Sequence, residues 1–244
     1  MAKKFKSGRC AHCLSFSNKL TSDHVFPKSW YPTTTPPYIE KWQMPSCATC
    51  NQKYGVIENE LLIRFGLCID PNEFSSLGIS DKAMRALNPL YATNEKDKIA
   101  RSKRREKIKK EMFKFIPTMN PSTIPGFGIE NNPKESQHHA IGVNPDHLIA
   151  IGEKIIRGTQ YILWKRYVPK DQRIDIFFLM DPHSQPIREA IEKYGAKYHR
   201  GPGIDVNIAS PKDDLNSALY EIIVWKRLKF YGTILPRGTQ SEIH

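Results

Sequence analysis

The sequence predicts an α+β protein, and three observations lead to this class. Two Cys-x-x-Cys pairs lie within residues 10–50, and an apolar pattern with helical spacing follows the second pair. A second helical pattern, dense in lysine and arginine, extends from residue 95 to residue 116. Beyond residue 135 the patterns of a helix, a strand, a second helix and further strands follow one another, an order typical of an α+β domain.

Length and composition bound the class of protein. The chain has 244 residues, 39% of them hydrophobic, so one or two domains with a proper core are expected. No apolar run reaches the roughly 18 residues that a transmembrane helix needs, and no apolar segment follows the basic N-terminus as in a secretory signal. We therefore expect a cytoplasmic protein without a membrane partner. The formal net charge of +12 indicates a polyanionic partner, with nucleic acid as the first candidate.

The cysteines predict a structural zinc site. The predicted ligands are Cys10, Cys13, Cys47 and Cys50. Each Cys-x-x-Cys pair can place two thiolates on one tight turn, and four cysteine ligands leave no open coordination position. Such a zinc fixes both ends of the segment between the pairs. Cys68 lies in an apolar run and is expected to be a buried small side chain, and His12, inside the first turn, is expected to be exposed.

Strand-forming residues surround the dipeptide Asp23-His24 between the cysteine pairs. Alternation along an ideal strand would send these two side chains to opposite faces, so they can serve one site only where the strand ends or bends. The proline-rich residues 31–45 are predicted to be a loop. A helix is predicted from about Ala48 to Leu67, with Asn51 in its first turn.

The sequence resembles the motif of the HNH endonucleases in the order of four features. These are the first cysteine pair, Asp23-His24, the second cysteine pair and the adjoining Asn51. These enzymes are also called His-Me finger or ββα-metal nucleases. The four cysteines make the chain similar to the zinc-containing members of the endonuclease VII type. The resemblance covers residues 8–62 and implies a zinc-stabilised ββα-metal nuclease module over residues 1–70.

The resemblance implies a role for each matching residue. His24 would be the general base that deprotonates a water, and Asp23 and Asn51 would hold a catalytic magnesium or manganese ion. The residues alone leave other uses open. His24 could be structural or bind zinc, Asp23 could end its strand with a hydrogen bond, and Asn51 could cap the helix.

One position departs from the family's pattern. Many HNH proteins have an asparagine that braces the catalytic loop, whereas this sequence has Trp42 at that place, and the candidate substitutes are Gln43 beside it or a backbone group. Glu58 and Glu60 lie further along the same predicted helix as Asn51. They are candidates for supporting the metal, or they are ordinary helix carboxylates.

Residues 71–116 are predicted to be a helical connector. A short helix is expected near Asp81 to Leu87 and a basic helix over residues 95–116. Because the charge of the basic helix is almost single-signed, few internal ion pairs can offset it, and phosphate contact is favoured over a solvated face. The candidate nucleic-acid-binding residues are Arg101, Lys103, Arg104, Arg105, Lys107, Lys109 and Lys110.

Residues 117–134, rich in proline, asparagine and glycine, are predicted to be a linker to an α+β domain over residues 135–244. The first helix of this domain should follow a cap at Asn144 and run to about Arg157, with Gly158 ending or interrupting it. The role of this domain is left open. Its other predicted elements are a strand over 174–180, a short helix over 186–194, and strands over 204–209 and 219–235, the last broken near Lys229.

These expectations combine into a metal-dependent HNH endonuclease that hydrolyses DNA, with RNA as a second possible substrate. Bacterial restriction or phage defence would suit such an enzyme. The alternatives are a zinc-stabilised nucleic-acid-binding protein that does not cleave and an inert scaffold subunit. A homodimer or a partner subunit is left open.

Overall fold

A computed structural model describes residues 5–114, 124, 141–178, 181–211, 214 and 216–235. Within these ranges the chain is mixed α+β, as predicted. The predicted linker, residues 117–134, falls outside the described residues except at position 124. None of the helices in the described ranges is long and apolar enough to cross a bilayer.

The N-terminal part has four short strands followed by three helices. In chain order these are β1 (Gly8–Arg9), β2 (Phe16–Ser17), β3 (Thr21–His24), β4 (Gln43–Ser46), α1 (Ala48–Gly66), α2 (Ile79–Leu87) and α3 (Glu95–Lys114). Strands β1 and β2 pair antiparallel, and so do β3 and β4. The predicted loop over residues 31–45 is wrong at its end, because Gln43 pairs with His24 and Met44 pairs with Asp23.

Helix α1 begins and ends within two residues of the prediction, and its apolar stripe faces the core as the helical spacing requires. Helix α2 packs closely on α1 at Gly66, where a Cβ atom would lie 2.6 Å from Cβ of Ala83. Helix α3 packs in turn on α2. The buried residues of the predicted α1 stripe are Tyr54, Ile57, Leu61, Leu62 and Phe65.

The C-terminal part is an antiparallel sheet with two helices. Its elements are α4 (Pro145–Trp164), β5 (Ile174–Phe177), α5 (Asp181–Tyr194), β6 (Gly195–Gly201), β7 (Ile204–Ala209), β8 (Ala218–Val224) and β9 (Leu228–Ile234). The strand order is β5-β9-β8-β7-β6. Helix α4 contacts β5 and β9, whereas α5 contacts β6, β7 and β8.

Several predicted boundaries in this part are wrong. Helix α4 continues through Gly158 to Trp164. That glycine packs beside the strand pair β3–β4, where a Cβ atom would come within 2.6 Å of a Val25 side-chain atom. Packing therefore explains the glycine, and helix termination does not. Helix α5 begins at Asp181, before the predicted start at residue 186. Strand β6 had no predicted counterpart, and the break between β8 and β9 falls at Trp225 and Lys226, which adopt left-handed φ angles of 55° and 56°.

One cluster of buried apolar side chains joins the two ends of the chain. It contains Val25 and Phe65 from the N-terminal part together with Ile155, Tyr220 and Trp225 from the C-terminal part. The ring of Trp225 lies 5.3 Å from that of Trp30, and its Nε1 donates a hydrogen bond of 2.7 Å to the Trp30 carbonyl oxygen. The first 70 residues and the C-terminal sheet therefore share a core.

Candidate active site and metal centre

The four predicted cysteine ligands come together. Their sulfur atoms all lie within 4.8 Å of one another, and the sulfurs of Cys13 and Cys47 are 3.9 Å apart. A tetrahedral zinc at about 2.3 Å from each thiolate would place the sulfurs about 3.8 Å apart. The same 3.9 Å is far beyond the roughly 2.05 Å of a disulfide bond. The group can therefore hold a metal such as zinc, as predicted.

Two local structures hold these cysteines. The first pair lies on a turn after β1, where the Cys10 amide donates to the Ser15 carbonyl (3.0 Å) and Leu14 takes a left-handed φ of 62°. The second pair lies at the start of α1, with Cys47 at the N-cap and Cys50 in the first turn. Burial raises the pKa of the Cys47 and Cys50 thiols. Burial acts in the same direction on Cys13, but hydrogen bonds from Ser15 and neighbouring cysteines outweigh it there and lower the pKa of Cys13 to about 6. A thiolate is the form that binds zinc.

A cleft of about 730 Å³ opens beside this cluster. It brings together the three predicted catalytic residues, since Asp23, His24 and Asn51 all line it. Strand β3 ends at His24, which is the condition under which neighbouring strand residues can serve one site. The other lining residues come from β3, from the loop after it, from α1 and from α2: Ser22, Lys28, Ser29, Tyr31, Pro32, Thr33, Thr35, Lys41, Glu58 and Lys82.

Asp23 is buried and has a partner on each carboxylate oxygen. Nε2 of His12 lies 2.8 Å from Oδ2, and Nζ of Lys154 lies 2.8 Å from Oδ1. Burial alone would raise the pKa of Asp23, but the hydrogen bond from His12 and the charge of Lys154 hold it below its usual value. Asp23 is therefore an ionised carboxylate with both oxygens engaged.

Lys154 comes from α4 and is completely enclosed, with no exposed surface. Its ammonium pairs with Asp23 and with Glu58 of α1, and it lies 5.5 Å from the centre of the Tyr54 ring. Burial raises the pKa of Glu58 although Lys154 opposes this. A buried ion pair needs such neighbours, because an unpaired charge at this depth is strongly destabilising.

The expected divalent-metal site at Asp23 and Asn51 does not fit this arrangement. A dication bound to Asp23 would lie within about 5 Å of the Lys154 ammonium, where the repulsion is on the order of 7 kcal/mol at an effective dielectric constant of about 20. On the same scale this repulsion offsets about half of the attraction that the Asp23 carboxylate would supply at contact distance. The amide nitrogen of Asn51 donates to Oγ1 of Thr21 (2.9 Å), so that residue braces α1 against β3.

His24 is held by its neighbour on β4. The side-chain nitrogen of Gln43 lies 3.2 Å from Nε2 of His24, and Oγ of Ser22 donates to the side-chain oxygen of Gln43 over 2.7 Å. This contact gives Gln43 the bracing position predicted for it. Burial lowers the pKa of His24, the charges of Lys154, Lys28 and Lys41 lower it further, and Asp23 opposes the shift. A lowered pKa keeps the imidazole neutral near pH 7, as a general base requires.

The cleft is basic. Lys28 and Lys41 act on the charge of His24, and Nζ of Lys82 donates to the carbonyl oxygens of Ser29 (3.2 Å) and Tyr31 (2.5 Å). Lys82 thus fastens the loop that forms one wall of the cleft. Lysines on a concave surface beside a neutral imidazole provide a favourable site for a phosphate group.

The basic helix α3 packs on α2, and none of its described residues lines the cleft. Arg101 pairs with Asp97 over 3.0 Å and also donates to the carbonyl of Arg85, while Arg104 donates to that of Ala86 over 2.9 Å. Two of the seven candidate residues therefore bind the end of α2. Lys107 and Lys109 pair with acidic residues of the same helix, and Lys103, Arg105 and Lys110 are exposed. Contact between this helix and nucleic acid stays a prediction.

Two residues of the site were not predicted from the sequence. His12 was expected to be exposed, but it is buried against Asp23 and its ring lies 4.4 Å from that of Tyr54. Lys154 had no predicted role, although it interrupts an apolar stripe of α4 next to Ile151 and Ile155. A lysine on such a stripe needs a carboxylate partner when it is buried, so its position in the apolar pattern is the sequence feature that indicates a buried ion pair.

Three other expectations have a structural outcome. Cys68 is exposed, so its predicted burial is wrong. Glu58 faces Lys154, and Glu60 pairs with Arg64 at 3.1 Å and with His147 at 3.2 Å, so both carboxylates are engaged with basic residues.

Comparison of the chain with protein-family models, curated proteins and solved structures gave no match.

Proposed function

We propose that this chain is an endonuclease of the HNH type that hydrolyses phosphodiester bonds of DNA, with His24 as the general base. The observation that carries the proposal is the position of His24. Its ring is held by Gln43 at the end of β3 and lies on the wall of a cleft that three lysines line. Bacterial restriction or phage defence is a role that would suit such an enzyme.

The order of elements supports the proposal. Two antiparallel strands, β3 and β4, are followed by α1, and the four cysteines hold the turn before these strands against the start of the helix. The resemblance implies this ββα order with a structural zinc. Zinc at the cysteines would fix the ends of the segment that carries His24, which favours a rigid catalytic site.

The geometry gives the imidazole a direction for proton transfer. Because the side-chain oxygen of Gln43 accepts from Oγ of Ser22, its side-chain nitrogen donates to Nε2 of His24, and the neutral ring carries its proton on Nδ1. Nε2 is therefore the nitrogen with the lone pair, and it would accept a proton from the attacking water in place of the hydrogen bond from Gln43. The ammonium groups of Lys28 and Lys41 would then stabilise the negative charge that grows on the phosphoryl oxygens.

A plasmid assay tests this function. Purified protein with its zinc intact is incubated with supercoiled plasmid and, in parallel, with a structured RNA. His24→Ala protein is prepared in the same way to control for contaminating nucleases. Relaxed or linear plasmid from the wild-type protein alone supports the endonuclease. Equal cleavage by both preparations would reject His24 as the base, and cleavage of RNA alone would change the substrate.

A second candidate function is favoured by one observation. Both carboxylate oxygens of Asp23 are occupied, one by His12 and the other by Lys154. A protein that binds nucleic acid without cleaving it needs no free carboxylate at this position. A non-cleaving nucleic-acid-binding protein would give no cleavage with either substrate. It would show tight binding whose affinity falls steeply with salt.

A further inference from the structure

The charged cluster at Asp23 is assembled from three separate parts of the chain. Asp23 comes from β3, Glu58 from α1, and Lys154 from the middle of α4. The ammonium lies between the two carboxylates and contacts both. A deeply buried lysine placed between two acids in this way has the location that a bound cation would have.

The packing of α4 makes this position possible. Gly158 lies one helical turn after Lys154 and on the same face. It contacts Val25, which follows β3, and Met44 of β4 so closely that no Cβ atom would fit. The glycine lets the helix approach the strands. Lys154 can therefore reach Asp23 while its own surface is completely enclosed.

The cluster already contains one cation. Two carboxylates and one ammonium leave one net negative charge, and His12 adds a hydrogen bond on the far oxygen of Asp23. Without the lysine, two carboxylates would face each other in a buried space. Such a pair is a strong site for a divalent metal with oxygen ligands.

We propose that Lys154 is the resident cation of this centre and that its ammonium excludes divalent metals from Asp23 and Glu58. The relevance of this inference to catalysis rests on the proposed nuclease function. If that function holds, cleavage by the wild-type protein does not depend on added Mg²⁺ or Mn²⁺, because the position between the two carboxylates is already filled.

Manganese binding tests the proposal without reference to DNA. Mn²⁺ is titrated into zinc-loaded wild-type, Lys154→Met, Lys154→Arg and Lys154→Met/Asp23→Asn proteins, and free Mn²⁺ is followed by electron paramagnetic resonance. We expect Lys154→Met to gain one site that binds Mn²⁺ at least tenfold more tightly than any site of the wild type. This site should be absent from Lys154→Arg, which keeps the charge, and from the double variant, which loses a ligand.

Two results would overturn the proposal. One is Mn²⁺ binding by the wild-type protein that Asp23→Asn abolishes while Lys154 is intact. The other is a folded Lys154→Met protein, with zinc bound and native circular dichroism, that gains no site. A Lys154→Met protein that folds only when Mn²⁺ is added supports the proposal.

A measurement on the wild-type protein covers the case in which Lys154→Met does not fold at all. Crystals of the wild-type protein are soaked in Mn²⁺ and examined by anomalous diffraction. A peak between Asp23 and Glu58 contradicts the proposal, and a map that shows the ammonium there and no peak supports it. Because these readouts involve no nucleic acid, they judge Lys154 independently of whether the protein cleaves DNA.

Discussion

Nζ of Lys154 on α4 lies 2.8 Å from Oδ1 of Asp23 at the end of β3, across 131 positions of sequence. This contact joins the two ends of the chain at the wall of the basic cleft. The C-terminal part therefore does more than follow the cysteine-bearing segment, because it supplies a charge to the site and packs its sheet on the same core. The stability of the site should depend on how closely α4 approaches the strands.

The first prediction concerns that approach. Gly158→Ala would place a Cβ atom 2.6 Å from Val25 and 3.0 Å from Sδ of Met44. Overpacking of this kind costs about 1–3 kcal/mol, more than the roughly 0.5–1 kcal/mol gained by removing a glycine from a helix. We expect a lower midpoint of thermal unfolding. Gly55→Ala in α1 is the matched control, because no atom beyond its chain neighbours and its own helix backbone lies within 4 Å of its Cβ position, and it should stabilise the protein.

The second prediction concerns the cysteine cluster. Cys50→Ser should abolish stoichiometric zinc binding and unfold the N-terminal part, because structural zinc sites of this kind bind with about 10–16 kcal/mol. Zinc content by mass spectrometry and circular dichroism measure both effects. Cys68→Ser is the control, since Cys68 is exposed and lies outside the cluster. Full zinc content and native folding in Cys50→Ser would show that this cysteine is not a ligand.

The third prediction concerns pH. A general base acts as the neutral imidazole, so cleavage is lost as the pH falls through the pKa of His24. Burial and the nearby lysines lower this pKa from 6.5. The acidic limb of the single-turnover rate should therefore have its midpoint below pH 6.5. A midpoint above that value would mean that a different group limits the reaction.

The fourth prediction separates the two basic surfaces. Lys41 lines the cleft, whereas Lys110 is exposed on α3. Lys41→Ala should weaken DNA binding, reduce the salt slope by about 1, and slow cleavage at saturating DNA. Lys110→Ala should change affinity alone. Filter binding over a range of salt concentrations and single-turnover cleavage measure these effects, and the opposite pattern would place the scissile phosphate near α3.

The features that could be predicted from the sequence are those that depend on residues close to one another along the chain. The two cysteine pairs and the apolar stripe of α1 follow from spacing, and the structure has both of them. Gln43 was identified as a candidate brace because it stands beside the expected position. These features need only a few residues along the chain to be specified.

Tertiary packing decided what the sequence left open. The sequence predicts a helix end or interruption at Gly158 because it does not show the strands that this glycine contacts, and it assigns no role to Lys154 because it does not show that α4 lies against Asp23. His12 was expected to be exposed because it lies on a turn, yet the same turn faces Asp23 and Tyr54. Each error comes from a contact between distant parts of the chain.

The role of His24 is tested most directly by the single-turnover rate of DNA cleavage in His24→Ala, beside wild type and His199→Ala. His199 is an exposed histidine of the edge strand β6, paired with Asp205 over 2.8 Å, and it controls for the loss of an imidazole elsewhere. Loss of a general base should slow cleavage roughly 10² to 10⁴-fold in His24→Ala, with His199→Ala unchanged. A His24→Ala protein that cleaves at the wild-type rate would contradict the proposed active site.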